Sequence, residues 1–224
     1  MSAKYPGEGS KLKYKLGVPR IDKDIGGVKG GTNVLVTGDA TTAKDEFLRR
    51  TVTTGVENDE GVVYVTTNDP AEKVLEEHEV VDHDRFAVVD CVSESQGVSD
   101  IETSETVRTT GSPSDMTGIG IQVSDILEEF WEVRGIKQNR VCLNSVSTLL
   151  MYSNLETVFR FLHVFTGRVR SVEGLGIFLI DPGMHDEKEF STLQQLFNAT
   201  VEFDDGRVRV DGLTDEPTDW TELE

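Results

Sequence analysis

Cysteine is almost missing from this chain: Cys91 and Cys142 are the only two in 224 residues. Each sits in a short apolar run, Phe86-Ala87-Val88-Val89-Asp90-Cys91 and Arg140-Val141-Cys142-Leu143. Both are expected to be buried small hydrophobes, not partners in a disulfide. Long apolar runs are missing too. No stretch approaches the roughly 20 residues that span a bilayer, and Met1 to Lys15 lacks the apolar core of a secretion signal. A cytoplasmic protein without a membrane partner is expected. Positive charge is scarce, with 22 Lys+Arg against 41 Asp+Glu and a net charge of -19. Such a surface repels phosphate backbones and anionic lipids, which disfavours nucleic acid as a partner. The four histidines, His78, His83, His163 and His185, are scattered, and none has the spacing of a zinc site. Ser145 and Ser147 show no paired histidine and base in the sequence, so hydrolase chemistry has no support there.

What the chain has in excess is acid, spread along its whole length. At the salt concentration of a salt-accumulating cell the Debye length falls to about 3 Å, and self-repulsion at this charge is screened. A halophilic source is expected. Hydrophobic residues make up 37% of the chain, enough for the core of one domain.

The pattern along the chain alternates strands and helices. Asn33 to Thr37 is a buried strand that runs into Gly38, and Lys44 to Val56 is a helix with Phe47, Leu48, Val52 and Val56 near one face. Gly61 to Thr66 is a second strand. A helix follows from Asp69-Pro70, with Asp69 as its cap and Glu72 in support. After the strand Phe86 to Cys91, the polar stretch 92–118 holds one basic residue, Arg108, and is expected to be a long acidic loop. Helix 121–133, strand 140–144, helix 155–172 and strand 175–180 continue the alternation. The helix 155–172 is opened by the capping-box candidate Ser153-Asn154-Leu155-Glu156. A short helix 187–197 precedes the hairpin pattern around Asp205-Gly206, Thr200 to Val210. The expected organisation is a flexible lead over 1–15, one domain over 16–212 and a loose acidic tail over 213–224.

Strands that are apolar throughout imply a mostly parallel central sheet with helices on both faces, and ligands then bind beyond the carboxyl ends of the strands. Three segments follow strands in that way: Gly38 to Lys44, Thr66 to Asp69 and Asn144 to Ser147. The first fills the slot of a phosphate-binding loop, G-x-x-x-x-G-K-[ST], in which backbone amides close on an anion, a lysine reaches the outer phosphates and a hydroxyl holds magnesium. Here it reads Gly38-Asp39-Ala40-Thr41-Thr42-Ala43-Lys44-Asp45. The second glycine and the hydroxyl are replaced. A lysine at a helix N-terminus opposes the helix dipole unless an anion lies against it. That anion is either a nucleotide phosphate or a carboxylate of the loop itself, Asp39 or Asp45. Asp45 is also an acceptable cap for its own helix, and Ala43 would crowd the backbone if its φ had to be positive.

With these residues in place, the chain resembles the KaiC/RadA-like branch of the RecA-superfamily ATPases, and more closely its short single-domain halophilic archaeal members. The lead carries the match: Leu16-Gly17-Val18-Pro19-Arg20-Ile21-Asp22 with Ile25-Gly26-Gly27-Val28-Lys29-Gly30-Gly31, similar to the family's glycine-rich run before the first strand. The resemblance extends over about 16–210. It implies a RecA-like P-loop fold with a C-terminal β-hairpin, ATP with Mg2+ as cofactor, and signalling by self-assembly or by binding a protein partner. It also assigns positions. The family's catalytic glutamates fall on Asn68 and Asp69, and its magnesium-orienting aspartate falls on Asn144, beside Asp45 at the metal-holding hydroxyl. An amide accepts no proton as a base, and a neutral Asn offsets little of magnesium's charge. Efficient hydrolysis is therefore not expected. Three readings stay open: a regulatory protein that still binds ATP, a nucleotide-free pseudo-ATPase scaffold, and a RadA-like recombination mediator, the last weakened by the acidic loop.

Overall fold

The computed structural model describes residues 12–38, 43–78, 84–97 and 106–223. Strand β1 (Lys13–Tyr14) pairs antiparallel with β2 (Val28–Lys29) across helix α1 (Pro19–Ile25). Then come β3 (Asn33–Thr37), α2 (Lys44–Glu57), β4 (Gly61–Thr66), α3 (Ala71–His78) and β5 (Phe86–Asp90). They are followed by β6 (Val107–Thr109), α4 (Met116–Glu132), β7 (Asn139–Asn144), α5 (Val146–Tyr152), α6 (Leu155–Ser171) and β8 (Leu175–Ile180). The chain closes with α7 (Glu187–Gln194), β9 (Ala199–Asp204), β10 (Arg207–Asp211) and β11 (Thr221–Glu222).

Nine of these strands form one sheet in the order β11-β10-β9-β3-β8-β7-β4-β5-β6. Every pairing from β9 to β6 is parallel, and β9, β10 and β11 pair antiparallel. The two-residue period of a strand divides the core. Val34, Val36, Val62 and Tyr64 face α1, α2 and α3, whereas Leu35, Val63, Val65 and Val141 face α4, α5 and α6. This is the parallel, doubly covered α/β architecture with a C-terminal hairpin that the sequence implies. Both cysteines are free and buried, and burial pushes each thiol up to about 12.

Several boundaries differ from the sequence reading. The lead is anchored from Lys13 on, with Tyr14 fully buried and its hydroxyl donating to the Glu173 carbonyl at 2.9 Å. Residues 1–11 lie outside the described part. In the stretch 92–118 only 98–105 lie outside it. Val107–Thr109 adds an edge strand parallel to β5, Arg108 pairs with Glu129 at 2.8 Å, and α4 already starts at Met116 because the Asp115 carboxylate accepts the Gly118 N–H at 2.9 Å. Within the tail, Thr221–Glu222 pairs with β10, and the Arg209 guanidinium lies 4.8 Å from the Trp220 ring centre. The cap of α6 is Asn154, whose side chain accepts the Thr157 N–H at 2.9 Å. The cap role given to Asp69 passes to Asp90. Its carboxylate accepts the Ala71 N–H at 2.7 Å, while the Asp69 carboxylate accepts from Lys73 Nζ at 2.6 Å.

One buried charge lay hidden in an apolar strand. Arg140 is fully buried and donates through Nε to Glu60 at 2.7 Å. Parallel pairing of β4 with β7 puts Gly61 opposite Asn139, so the residues at these two strand starts are neighbours. Gly55 of α2 makes room: a Cβ there would stand 2.5 Å from Arg140 Nε.

Candidate functional site

The carboxyl ends of β3, β8, β7 and β4 lie side by side, and the candidate residues gather there. Thr37 is in register with Ile180, and Thr66 with Asn144. Gly38 leaves β3 and Lys44 opens α2, while Asp39, Ala40, Thr41 and Thr42 lie outside the described residues. Ala43 stands at the N-cap with φ of -76°, so its methyl meets no left-handed backbone, and no side chain caps the helix. Asp45 is not the cap expected of it; it lies exposed inside the first turn.

The anion against Lys44 is Asp181. The Lys44 ammonium, 7% exposed, donates to Asp181 Oδ1, whose side chain is 25% exposed. Neither of the two carboxylates expected from the sequence is seen in this role. Asp45 makes no such contact, and Asp39 lies outside the described residues. The physical reason is topological: β8 pairs directly with β3, so the first residue beyond β8 emerges beside the start of α2. The signal is present in the sequence, since Asp181 follows an apolar strand as directly as Gly38 does.

The positions aligned with catalytic roles are also satisfied within the chain. Asn68 Oδ1 accepts from the Thr148 hydroxyl on α5. Asn144 Nδ2 donates to the Tyr64 hydroxyl at 3.1 Å, and burial raises that phenol far above its ordinary range. Thr67 ties the ends of β4 and β7 together. Its N–H and its hydroxyl each donate to the Asn144 carbonyl at 2.8 Å, and its oxygen accepts the Ser145 N–H at 2.6 Å. The Asn144–Ser145 peptide bond is cis. Among the described residues no group of three or more His, Cys, Asp or Glu side chains could hold a metal ion. A magnesium ion held by Asp45 and Asn144 would have to complete its shell with water or with the oxygens of a bound nucleotide.

Ser147 does have a histidine: His185 Nε2 lies 2.8 Å from Ser147 Oγ, and His185 Nδ1 lies 3.9 Å from Glu189 Oε2. The pair was invisible because 38 residues separate its members. Ser147 is nevertheless 2% exposed, and its Oγ also accepts the Asp181 N–H at 2.9 Å. That hydroxyl is a buried link between α5, β8 and the segment after it, closed to a substrate.

No curated protein matches the sequence. Among solved structures, the protein PH0321 from Pyrococcus horikoshii, crystallised in complex with an unknown peptide, superimposes with a TM-score of 0.69. The match covers 93% of this chain and 99% of that one at 14% identity. The KaiC-like protein PH0186 from the hyperthermophilic archaeon Pyrococcus horikoshii OT3 gives a TM-score of 0.61 over 94% and 91% of the two chains at 15% identity. Likeness at this identity establishes the fold, and it is the RecA-like fold implied by the sequence. No helix among the described residues is long and apolar enough to cross a membrane. Residues 31–203, most of the chain, match the model of a family of unknown function (DUF7504), and the chain belongs to that family.

Proposed function

We propose that this protein is a KaiC-like regulatory module of the RecA fold that acts by binding protein, its nucleotide site closed by its own side chains. The observation that carries the reading is the Lys44–Asp181 ion pair. A phosphate on Lys44 would have to displace a carboxylate already in place, and Asp181, once displaced, would repel it. The substitutions at Asp45, Asn68 and Asn144 support the same reading, because the hydroxyl, the base and the carboxylate of an ATPase are gone together. The peptide bound to PH0321 is consistent with a protein-binding role on this fold. The acidic surface suits a halophilic archaeal cytoplasm.

The retained Lys44 favours a second reading, in which ATP with Mg2+ displaces Asp181 and the displacement is the signal. Thermal melting in multimolar KCl with ATP and magnesium separates the two. No shift at millimolar ATP is expected for the closed module. A rise of a few degrees that disappears in Lys44→Ala would sink it in favour of the second.

A further inference from the structure

A groove of about 580 Å3 runs between α4 and α6, on the face of the sheet opposite α2. Its walls carry Ile121, 54% exposed, and Val164, 71% exposed, with Phe161 between the helices. Exposed branched side chains on neighbouring helices form an apolar stripe that a partner would cover. Charge sits beside each of them at one helical turn. Asp125 follows Ile121 on α4, and Arg160 and Arg168 flank Val164 on α6.

We propose that this face is where two copies of the chain meet. The walls carry opposite signs, so a partner of one sign would be repelled by one of them. The same surface turned over by a two-fold axis presents acid to the basic wall and base to the acidic wall. The helices allow it. Both α4 and α6 lead back into parallel strands on the same side of the sheet, and they therefore run the same way. A two-fold axis along the groove lays α4 of each copy over α6 of the other. Asp125 is four residues beyond Ile121 and Arg168 four beyond Val164, so the register that seats Ile121 on Val164 also sets Asp125 against Arg168, twice per dimer.

Two further observations agree. Gly120 lines the groove in mid-helix, where glycine is unfavourable, and a Cβ there would meet nothing within 4 Å. The chain's own packing gives no reason for it, whereas close approach of a second helix does. A net charge of -19 also makes most faces of two copies repel, which selects a face that carries arginines. The interface does not depend on whether ATP binds: a melting shift with ATP would remove the closed-module reading and leave this one standing.

Sedimentation of the purified chain at micromolar concentration in multimolar KCl tests the interface. The expected species is a dimer of 24.8 kDa chains. Val164→Asp, at an exposed position, is expected to raise the dissociation constant at least about tenfold while the circular dichroism of the folded chain stays that of wild type. Asp125→Arg is expected to weaken the dimer, and Asp125→Arg with Arg168→Asp to restore it. A monomeric wild type at every salt concentration overturns the proposal. So does a dimer indifferent to both Val164→Asp and Asp125→Arg.

Discussion

Lys44 and Asp181 are 137 residues apart in sequence and share a direct ion pair at the carboxyl edge of the sheet. The lysine is nearly sealed from solvent and the aspartate is a quarter exposed. The pair is therefore asymmetric. Without Asp181 the ammonium keeps its burial and loses its counter-charge, whereas without Lys44 the carboxylate can still turn to water.

That asymmetry orders three variants. Asp181→Asn is expected to cost about 1–3 kcal/mol, the penalty of a charged group left poorly paired. Lys44→Met, which removes the buried charge and keeps its stem, should cost less. The double variant is expected to be less destabilised than the sum of the two, because the second change removes what the first left unpaired. Denaturant unfolding at high salt measures all three. A larger loss for Lys44→Met than for Asp181→Asn would contradict the asymmetry.

His78 sets a pH dependence of known sign. Its ring packs edge-on against Tyr64 at 5.1 Å between centres, and its Nδ1 is buried without a partner. Burial first, and repulsion from Arg49 second, lower its pKa to about 4. The unfolded chain, with an ordinary histidine near 6.5, then binds a proton that the folded chain refuses. The stability tied to neutral His78 is present above about pH 6.5 and is lost as pH falls towards 4. His78→Phe removes this titration. The variant is expected to gain stability relative to wild type between about pH 7 and pH 5, as read from paired melting curves.

Salt should stabilise the protein strongly. With a net charge of -19, folding gathers like charges that the unfolded chain keeps apart. Several of the described ion pairs lie at the surface, such as Arg49 with Glu46 and Arg207 with Asp204, and exposed pairs offset little of that repulsion. The melting temperature is expected to climb through the range of KCl where the Debye length shrinks from about 10 Å to about 3 Å. A flat or falling curve would argue against an acid-driven salt requirement.

The central strands β3, β4, β5, β7 and β8 were legible in the sequence because their residues are apolar on both faces and glycine or polar residues bound them. The hairpin was legible for a local reason: Asp205 and Gly206 both take positive φ, as its two-residue turn demands. What stayed hidden was long-range. The partner of Lys44 is not among its neighbours in sequence; the pairing of β8 with β3 brings in Asp181, 137 residues further along the chain. Ser147 with His185, and Arg140 with Glu60, were hidden for the same reason. Helix α5 was missed because its seven residues are too few to show a period, and β6 because three residues at a sheet edge give no alternation.

Two helix glycines give opposite predictions from one substitution. In mid-helix, alanine is favoured over glycine by up to about 1 kcal/mol on propensity alone. At Gly120 the added methyl meets nothing within 4 Å, so Gly120→Ala should deliver most of that gain in the melting of the monomer. At Gly55 the same methyl would stand 2.5 Å from Arg140 Nε and 2.9 Å from Val62 Cγ2. Arg140 cannot give way without loosening its bond to Glu60, because its Nη1 is also held by the Thr51 and Lys15 carbonyls. Gly55→Ala is therefore expected to lose about 1–3 kcal/mol by overpacking. The sign of the difference separates packing from propensity, and two variants of the same sign would show that the seat of Arg140 beneath α2 is not as tight as this geometry requires.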